Sequence, residues 1–365
     1  MKNRFIALLS LPCLLCSCEV EPRYTLSRFE ATHEASYQLW DNFSEDNLVV
    51  SYHKKGVGRD QYELDLSGYD KSKVGDYGVK VSLKGVEEME RTVSVQVGNR
   101  TTCNVLWIGN EYVAETVGSM AKYIHSADGS FDYSISTLTL SGSTVGDHYV
   151  NFLNGNAIYT LGECKDGTDS WSYSPLRDIP SILSGSAAYD IVILQEDNIA
   201  ASLEGGYRNL GPLVKAMEAY CDGEGRKVPS FGSCLPWAYD DGVYVDNAYY
   251  DGYGNDGGAM YKGLIDNSRG IEESVDFLLP LGEIVNRLRG NESLEGYNLT
   301  ADGSHLNGTL GCYAASIALG SILSGYEASR FLIEGEDGPL FGEEGEAAIL
   351  EAVEESIKNP LGEQI

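Results

Sequence analysis

Two short runs, NVLWIG (104–109) and YDIVILQ (189–195), are apolar at nearly every position. A strand with one face in water alternates apolar and polar residues, so runs this continuous require strands buried on both faces, as in a parallel sheet covered by helices. Helical periodicity lies around and between them: Thr116 to His125, Leu210 to Tyr220, Leu281 to Leu288 and Leu310 to Leu323. Strands alternating with helices predict an α/β fold, a three-layer α/β/α sandwich on a parallel sheet. Sites in such sheets form beyond the carboxyl ends of the strands. Asn110-Glu111 and Gln195-Glu196-Asp197-Asn198 then share one rim.

Residues 24–98 follow another rule. YGVKVSL (77–83) and TVSVQV (92–97) alternate with period two, joined by the polar connection KGVEEMER, and NLVVSYHKKG is a further strand entering a turn. Short strands separated by turn residues predict a small all-β sandwich. The segment LSGYDKSKVGDYGVKVSL, through Gly68, Ser72, Gly75 and Tyr77, resembles bacterial Ig-like modules of surface proteins. The resemblance implies a spacer for the domain that follows.

The amino terminus reads as a targeting segment. Lys2 and Arg4 precede an apolar run, Phe5 to Leu15, too short for a permanent membrane span. Leu15-Cys16-Ser17-Cys18 resembles a bacterial lipobox, with Ser17 the small residue before the modified cysteine. The resemblance implies cleavage after residue 17, acylation of Cys18 and a lipid-anchored protein of the cell envelope, exposed outside the cytoplasm. The expected organisation is a signal peptide at 1–17, a linker at 18–23, the Ig-like domain at 24–98 and the α/β domain at 102–365, closed by the acidic helix GEEGEAAILEAVEESIKNP.

A net charge of −29 over 365 residues argues against nucleic acid as a partner, since phosphates would be repelled. Beyond Cys18 the cysteines are Cys103, Cys164, Cys221, Cys234 and Cys312, scattered and without a C-x-x-C pair. That pattern is neither a zinc site nor a dense disulfide framework, and it leaves room for one or two bridges at most.

TADGSHLNGTLGCY (300–313) carries the chemistry. Asp302 and His305 stand three apart in a glycine-containing turn before a helix. That spacing lets the carboxylate bond one imidazole nitrogen while the other faces a substrate. An isolated D-x-x-H is also compatible with a surface histidine or a helix cap.

Taken together, the blocks resemble the SGNH (GDSL-like) hydrolases, and in particular a branch known only as a domain of unknown function. Gly109, Asn110 and Tyr112 match a G-N-S-[FY] block at the end of the first strand. Gly142 and His148 lie in the glycine loop SGSTVGDHYVNF, and Asp190, Leu194 and Gln195 match a D-x-x-x-L-Q strand. LPWAYDD with Trp237 and Tyr239, AMYKGLIDNS, LLPLGEIVNRLR and the closing block Asp302 to Asn307 follow in order. The resemblance covers roughly residues 103–325. It implies an SGNH/flavodoxin-like sheet, a serine nucleophile at the first block, His305 as base and Asp302 as its orienter. It also implies an oxyanion hole built from backbone N–H groups of the first block and of Gly142, with an asparagine side chain.

The chain departs from that pattern twice. Position 111 is Glu where the family has Ser, and direct counting puts Asp197 at the asparagine position, with Asn198 one residue away. A carboxylate attacks esters poorly, its charge opposes a forming oxyanion, and beside His305 it would hold the imidazole protonated. Glu111 has three readings: a cap of the following helix, a ligand-binding carboxylate, or a catalyst. The Tyr, Asp and Gly-rich segment 237–258 suits stacking on sugar rings or is a plain rim loop. Its DGYGNDGG portion resembles a calcium loop without the closing Glu, so no metal and no cofactor are expected.

The chain is therefore expected to be an impaired hydrolase that binds a carbohydrate or acylated carbohydrate. Glu111, Asp302 and His305 form the centre, Asn110, Gly142, Gln195, Asp197 and Asn198 the hole and pocket, and His148, Trp237 and Tyr239 the ligand contacts. Two alternatives stand beside it. One is an active carbohydrate esterase using Asp302 and His305 with water or another nucleophile, and the other is a structural or partner-binding module.

Overall fold

A computed structural model describes residues 28–86, 89–123, 129–164, 170–243, 252–335 and 338–362. The signal peptide, the linker and Cys18 lie outside the described residues, as do His125 and residues 244–251 of the Tyr- and Gly-rich segment.

The strands of the first hundred residues are β1 (Phe29–His33), β2 (Ser36–Gln38), β3 (Leu48–Tyr52), β4 (Lys55–Gly56), β5 (Tyr62–Asp65), β6 (Gly75–Leu83) and β7 (Glu90–Gly98). Period-two patterning becomes alternating burial along β6 and β7: Val79, Val81, Leu83, Val93, Val95 and Val97 point inward while Lys80, Ser94 and Gln96 do not. β1 pairs antiparallel with β3 and β5 with β6.

Compactness does not follow the boundary expected from sequence. Residues 28–34, 46–68 and 78–94 belong to one compact unit, whereas 35–45 and 69–77 belong with 95–362. The reason lies in buried anchors that periodicity does not reveal. The Trp40 indole donates to the Ile322 carbonyl (2.8 Å) and packs on the Phe277 ring at 4.8 Å. The nearly buried Arg100 donates to the Leu39 carbonyl (2.8 Å) and pairs with Asp41 (2.7 Å), and Lys71 reaches Asp276 (2.9 Å).

The larger unit is built on a seven-stranded sheet of β8 (Thr102–Gly109), β9 (Asp132–Thr139), β10 (Tyr159–Cys164), β11 (Trp171–Arg177), β12 (Ile191–Gln195), β13 (Ser230–Cys234) and β14 (Phe277–Leu279). Their spatial order is β11-β10-β9-β8-β12-β13-β14. β9, β8, β12, β13 and β14 run parallel, while β10 and β11 add an antiparallel edge. The two apolar runs are the central neighbours β8 and β12, with β8 buried from Val105 to Gly109 and β12 buried throughout, as their composition requires. From β8 the chain first builds outward through β9, and it later returns to the other side of β8 with β12. The topological switch point, where such sheets bind ligands, is thus at the ends of β8 and β12.

The helices are α1 (Glu111–Met120), α2 (Val145–Asn154), α3 (Ile179–Leu183), α4 (Asn198–Ser202), α5 (Leu210–Gly223), α6 (Gly257–Asn267), α7 (Leu281–Leu288), α8 (Leu310–Ser324) and α9 (Gly342–Lys358). α2 and α3 pack with α5, α4 packs with α6, and α1, α7 and α9 pack with α8, which is buried along almost its whole length. Cys103, Cys164, Cys221, Cys234 and Cys312 are all buried.

The edge of the parallel array needs a glycine. A Cβ added to Gly232 of β13 would lie 2.3 Å from the Phe277 ring on β14. Gly232→Ala is expected to destabilise the domain by about 1–3 kcal/mol, the usual cost of overpacking, read as a lower urea midpoint with an unchanged slope.

Candidate active site

The first strand-to-helix turn is fixed by side chains on both sides of β8's end. Gly109 lets the strands close up, since a Cβ there would sit 2.5 Å from Val113 and 3.3 Å from the Gln195 Cβ. Asn110 is fully buried. Its Oδ1 accepts the Tyr112 N–H (3.1 Å), and its Nδ2 donates to Asp197 Oδ2 (3.2 Å). The other Asp197 oxygen accepts the Ile199 and Ala200 N–H groups, 3.0 Å each, and so caps α4. The first amides of α1 are therefore served by Asn110, while Glu111 stands in the first turn of the helix. Glu111 Oε2 accepts the backbone N–H of Gly142 at 2.7 Å, across the site in the turn that follows β9. Gly142 has φ +65°, the left-handed region that favours glycine.

The second half of the site is the 302–305 turn. Asp302 Oδ2 lies 2.7 Å from His305 Nδ1, and its Oδ1 accepts the backbone N–H groups of Ser304 and His305 and the Ser304 hydroxyl, each at 2.9 Å. Burial alone would raise the Asp302 carboxyl, but these bonds from His305 and Ser304 outweigh it and hold the group well below the usual carboxylate range. The imidazole stacks on the Tyr112 ring at 4.6 Å. Behind that stack the Tyr112 and Tyr239 hydroxyls meet at 2.8 Å, and the Trp237 indole donates to the Ser304 carbonyl at 2.6 Å.

The free edge of the imidazole faces an unexpected partner. His305 Nε2 lies 3.6 Å from Glu115 Oε2, where a triad would place its nucleophile. The sequence puts Glu111 beside His305; in the structure Glu111 turns to the glycine loop and Glu115, one helical turn on, takes the place by the ring. The spacing of four residues at the start of a helix was the available signal, because it puts both carboxylates on one face.

Several residues expected in the pocket are buried beneath it. Gln195 and Asn198 are fully buried, and the Asn198 amide donates to the Trp237 carbonyl at 2.8 Å, so it is not presented as an oxyanion donor. His148, Trp237 and Tyr239, expected as ligand contacts, are no more than 2 % exposed and are hydrogen-bonded within the protein.

Glu196, by contrast, emerges as a buried carboxyl at the switch point. Both its oxygens accept the Val145 N–H at 3.1 Å and one accepts the Asp197 N–H at 2.9 Å. Burial pushes it up to about 8, with the Asp197 and Asp147 carboxylates adding to the rise against the two amides. Asp197 is raised too, first by burial and also by Glu111. Among the described residues none of Glu111, Glu115, Asp197 and Asp302 pairs with a lysine or arginine, and no group of three or more His, Cys, Asp and Glu side chains could hold a metal ion.

No family model and no curated protein sequence matches the chain. Among solved structures it is similar to a DUF4886 family protein from Bacteroides uniformis ATCC 8492, with a TM-score of 0.57 and 18% identity over 72% of this chain and 97% of that one. Fainter likenesses include the acetyl xylan esterase AlAXEase, at TM-score 0.31 and 16% identity over 58% of this chain and 96% of the other. Another is Axe2, an acetylxylan esterase from Geobacillus stearothermophilus, at TM-score 0.31 and 13% identity over 64% and 96%. The first likeness establishes the fold alone. The mixed α/β architecture with a central, mostly parallel sheet is consistent with the SGNH hydrolase-like fold expected from the sequence blocks.

Proposed function

We propose that this chain is an envelope lipoprotein whose SGNH-like domain binds a carbohydrate or acylated carbohydrate and hydrolyses esters poorly. The observation that carries the reading is the 2.7 Å bond from the Gly142 N–H to Glu111 Oε2. The family mechanism assigns that N–H to the oxyanion of a tetrahedral intermediate, and here the protein's own carboxylate is bound to it. An ester carbonyl would have to displace an anion from this donor while Asp197 stands nearby, which opposes the charge that hydrolysis must build. The serine that would attack is absent as well.

The impaired-hydrolase reading expects background turnover of p-nitrophenyl acetate by wild type, a gain on Glu111→Ser, and glycan binding by the unmodified protein. The active-esterase reading draws support from the Asp302–His305 pair at 2.7 Å. In it His305 takes a proton from water, the hydroxide adds to the acyl carbon, and the alkoxide leaves with that proton. It expects wild-type turnover that His305→Ala abolishes.

We also place Cys18 as the acylated anchor and the Ig-like strands as a spacer, a reading supported by the lipobox-like LCSC and by alternating burial along β6 and β7. Metabolic labelling with palmitate is expected to mark the wild-type chain and to vanish in Cys18→Ala. Persistent label in that variant rejects the anchor.

A further inference from the structure

A second histidine lies behind the glycine loop and is used by nothing described so far. His148 on α2 is fully buried, yet both its nitrogens are engaged: Nδ1 is 2.8 Å from the Tyr159 hydroxyl and Nε2 is 3.3 Å from Ser143 Oγ. Ser143 Oγ is also 2.6 Å from the Leu140 carbonyl. A carbonyl only accepts, so the Ser143 proton goes to Leu140 and its oxygen accepts from His148 Nε2–H. His148 Nδ1 is then the acceptor and Tyr159 the donor. The chain of bonds therefore has one direction, Tyr159 to His148 to Ser143 to Leu140. Burial keeps the imidazole neutral, pushed down to about 4, so it holds this arrangement across the physiological range.

A serine against an imidazole invites comparison with a catalytic pair. Ser143 is 3 % exposed and its proton is committed to Leu140, so it is not presented as a nucleophile. What the relay grips is the turn itself. Leu140 and Ser143 are its two ends, joined by the Ser143 N–H to the Leu140 carbonyl (3.2 Å), and Gly142 lies between them. Leu140 is also tied to β8, its N–H donating to the Gly109 carbonyl at 3.1 Å.

We propose that the Tyr159–His148–Ser143 relay is a positioning device that aims the Gly142 N–H into the site and holds it on the Glu111 carboxylate. The inference goes beyond the proposed function and shares with it only the Glu111–Gly142 contact. Its test needs no turnover, so the two fail separately.

The full chain is labelled with [15N]glycine and the Gly142 amide is followed through a pH titration and by hydrogen exchange. In wild type this amide is expected to move with pH, and Glu111→Gln removes that movement while Asp197 and Glu196 remain as neighbours. Tyr159→Phe, which loses only a hydroxyl, is expected to abolish the movement and to speed Gly142 exchange at least tenfold. His148→Phe should do the same. His148→Gln should restore both signals, because its amide can accept from Tyr159 and donate to Ser143. A purely structural role would alter the thermal midpoint and leave the Gly142 titration in place. The proposal is overturned if Tyr159→Phe keeps the wild-type titration and exchange, or if His148→Gln behaves like His148→Phe. Should the His148 variants not fold, Tyr159→Phe decides alone.

Discussion

Replacing Glu111 with serine is expected to raise p-nitrophenyl acetate turnover by about 100-fold or more over the wild-type chain. The substitution does two things at once. It frees the Gly142 N–H, now bonded to Glu111 at 2.7 Å, and it puts a hydroxyl on the first turn of α1, ahead of the Tyr112 ring on which His305 stacks. The base already has its orienter, with Asp302 2.7 Å from Nδ1. The gain should be lost again in Glu111→Ser/His305→Ala, because the hydroxyl needs the imidazole to take its proton. Glu115, 3.6 Å from Nε2, competes for the same edge of the ring. Adding Glu115→Gln to the serine variant should therefore increase turnover further. Glu111→Gln separates charge from chemistry, since it removes the anion without supplying a nucleophile and should stay at background. Wild-type hydrolysis that depends on His305 and is not improved by Glu111→Ser would reject the impaired-hydrolase reading in favour of an active esterase.

The second large effect is on stability. Glu196→Gln is expected to stabilise the domain at pH 8.5 by on the order of 4 kcal/mol relative to its effect at pH 4. The carboxyl is fully buried and pushed up to about 8 in the folded protein, against an ordinary value of 4.5. Between those limits the folded state holds a proton that the unfolded chain has released. Stability from this group is therefore complete below the unfolded value, falls steadily as pH rises toward about 8, and is level above it. Glutamine does not titrate, and its Oε1 can accept the Val145 and Asp197 amides that now bond the carboxyl. A net charge of −29 also weakens the fold as pH rises, through general repulsion. The difference between the two proteins, measured by urea unfolding at a series of pH values, cancels that shared contribution. Parallel stability curves would show that Glu196 takes up its proton alike in the folded and unfolded chain, and would reject the raised value.

The legible and illegible parts of this protein divide by distance along the chain. Continuous apolar runs at 104–109 and 189–195 announced the two central strands, and helical spacing located 281–288 and the helix that begins at Leu310. Asp302 and His305 were legible as a pair because three residues of turn bring them together. The strand SFGSC was not, because its single large apolar side chain leaves no pattern; it is a strand because Gly232 admits the Phe277 ring from 45 residues away. The segments around Trp40 and Lys71 read as part of a β module, yet partners in the α/β unit hold them there. His148, Trp237 and Tyr239 have the composition of ligand contacts and the burial of core. Sequence alone determined which strands are central, where their carboxyl ends lie and that a carboxylate, Glu111, stands just past the end of the first of them. Only tertiary structure decided that this carboxylate turns toward Gly142, that Glu115 meets the imidazole and that Glu196 is sealed inside. Periodicity reports how a residue meets its neighbours in the chain, whereas the direction of a side chain and the partner of a charge depend on loops that folding brings together from elsewhere.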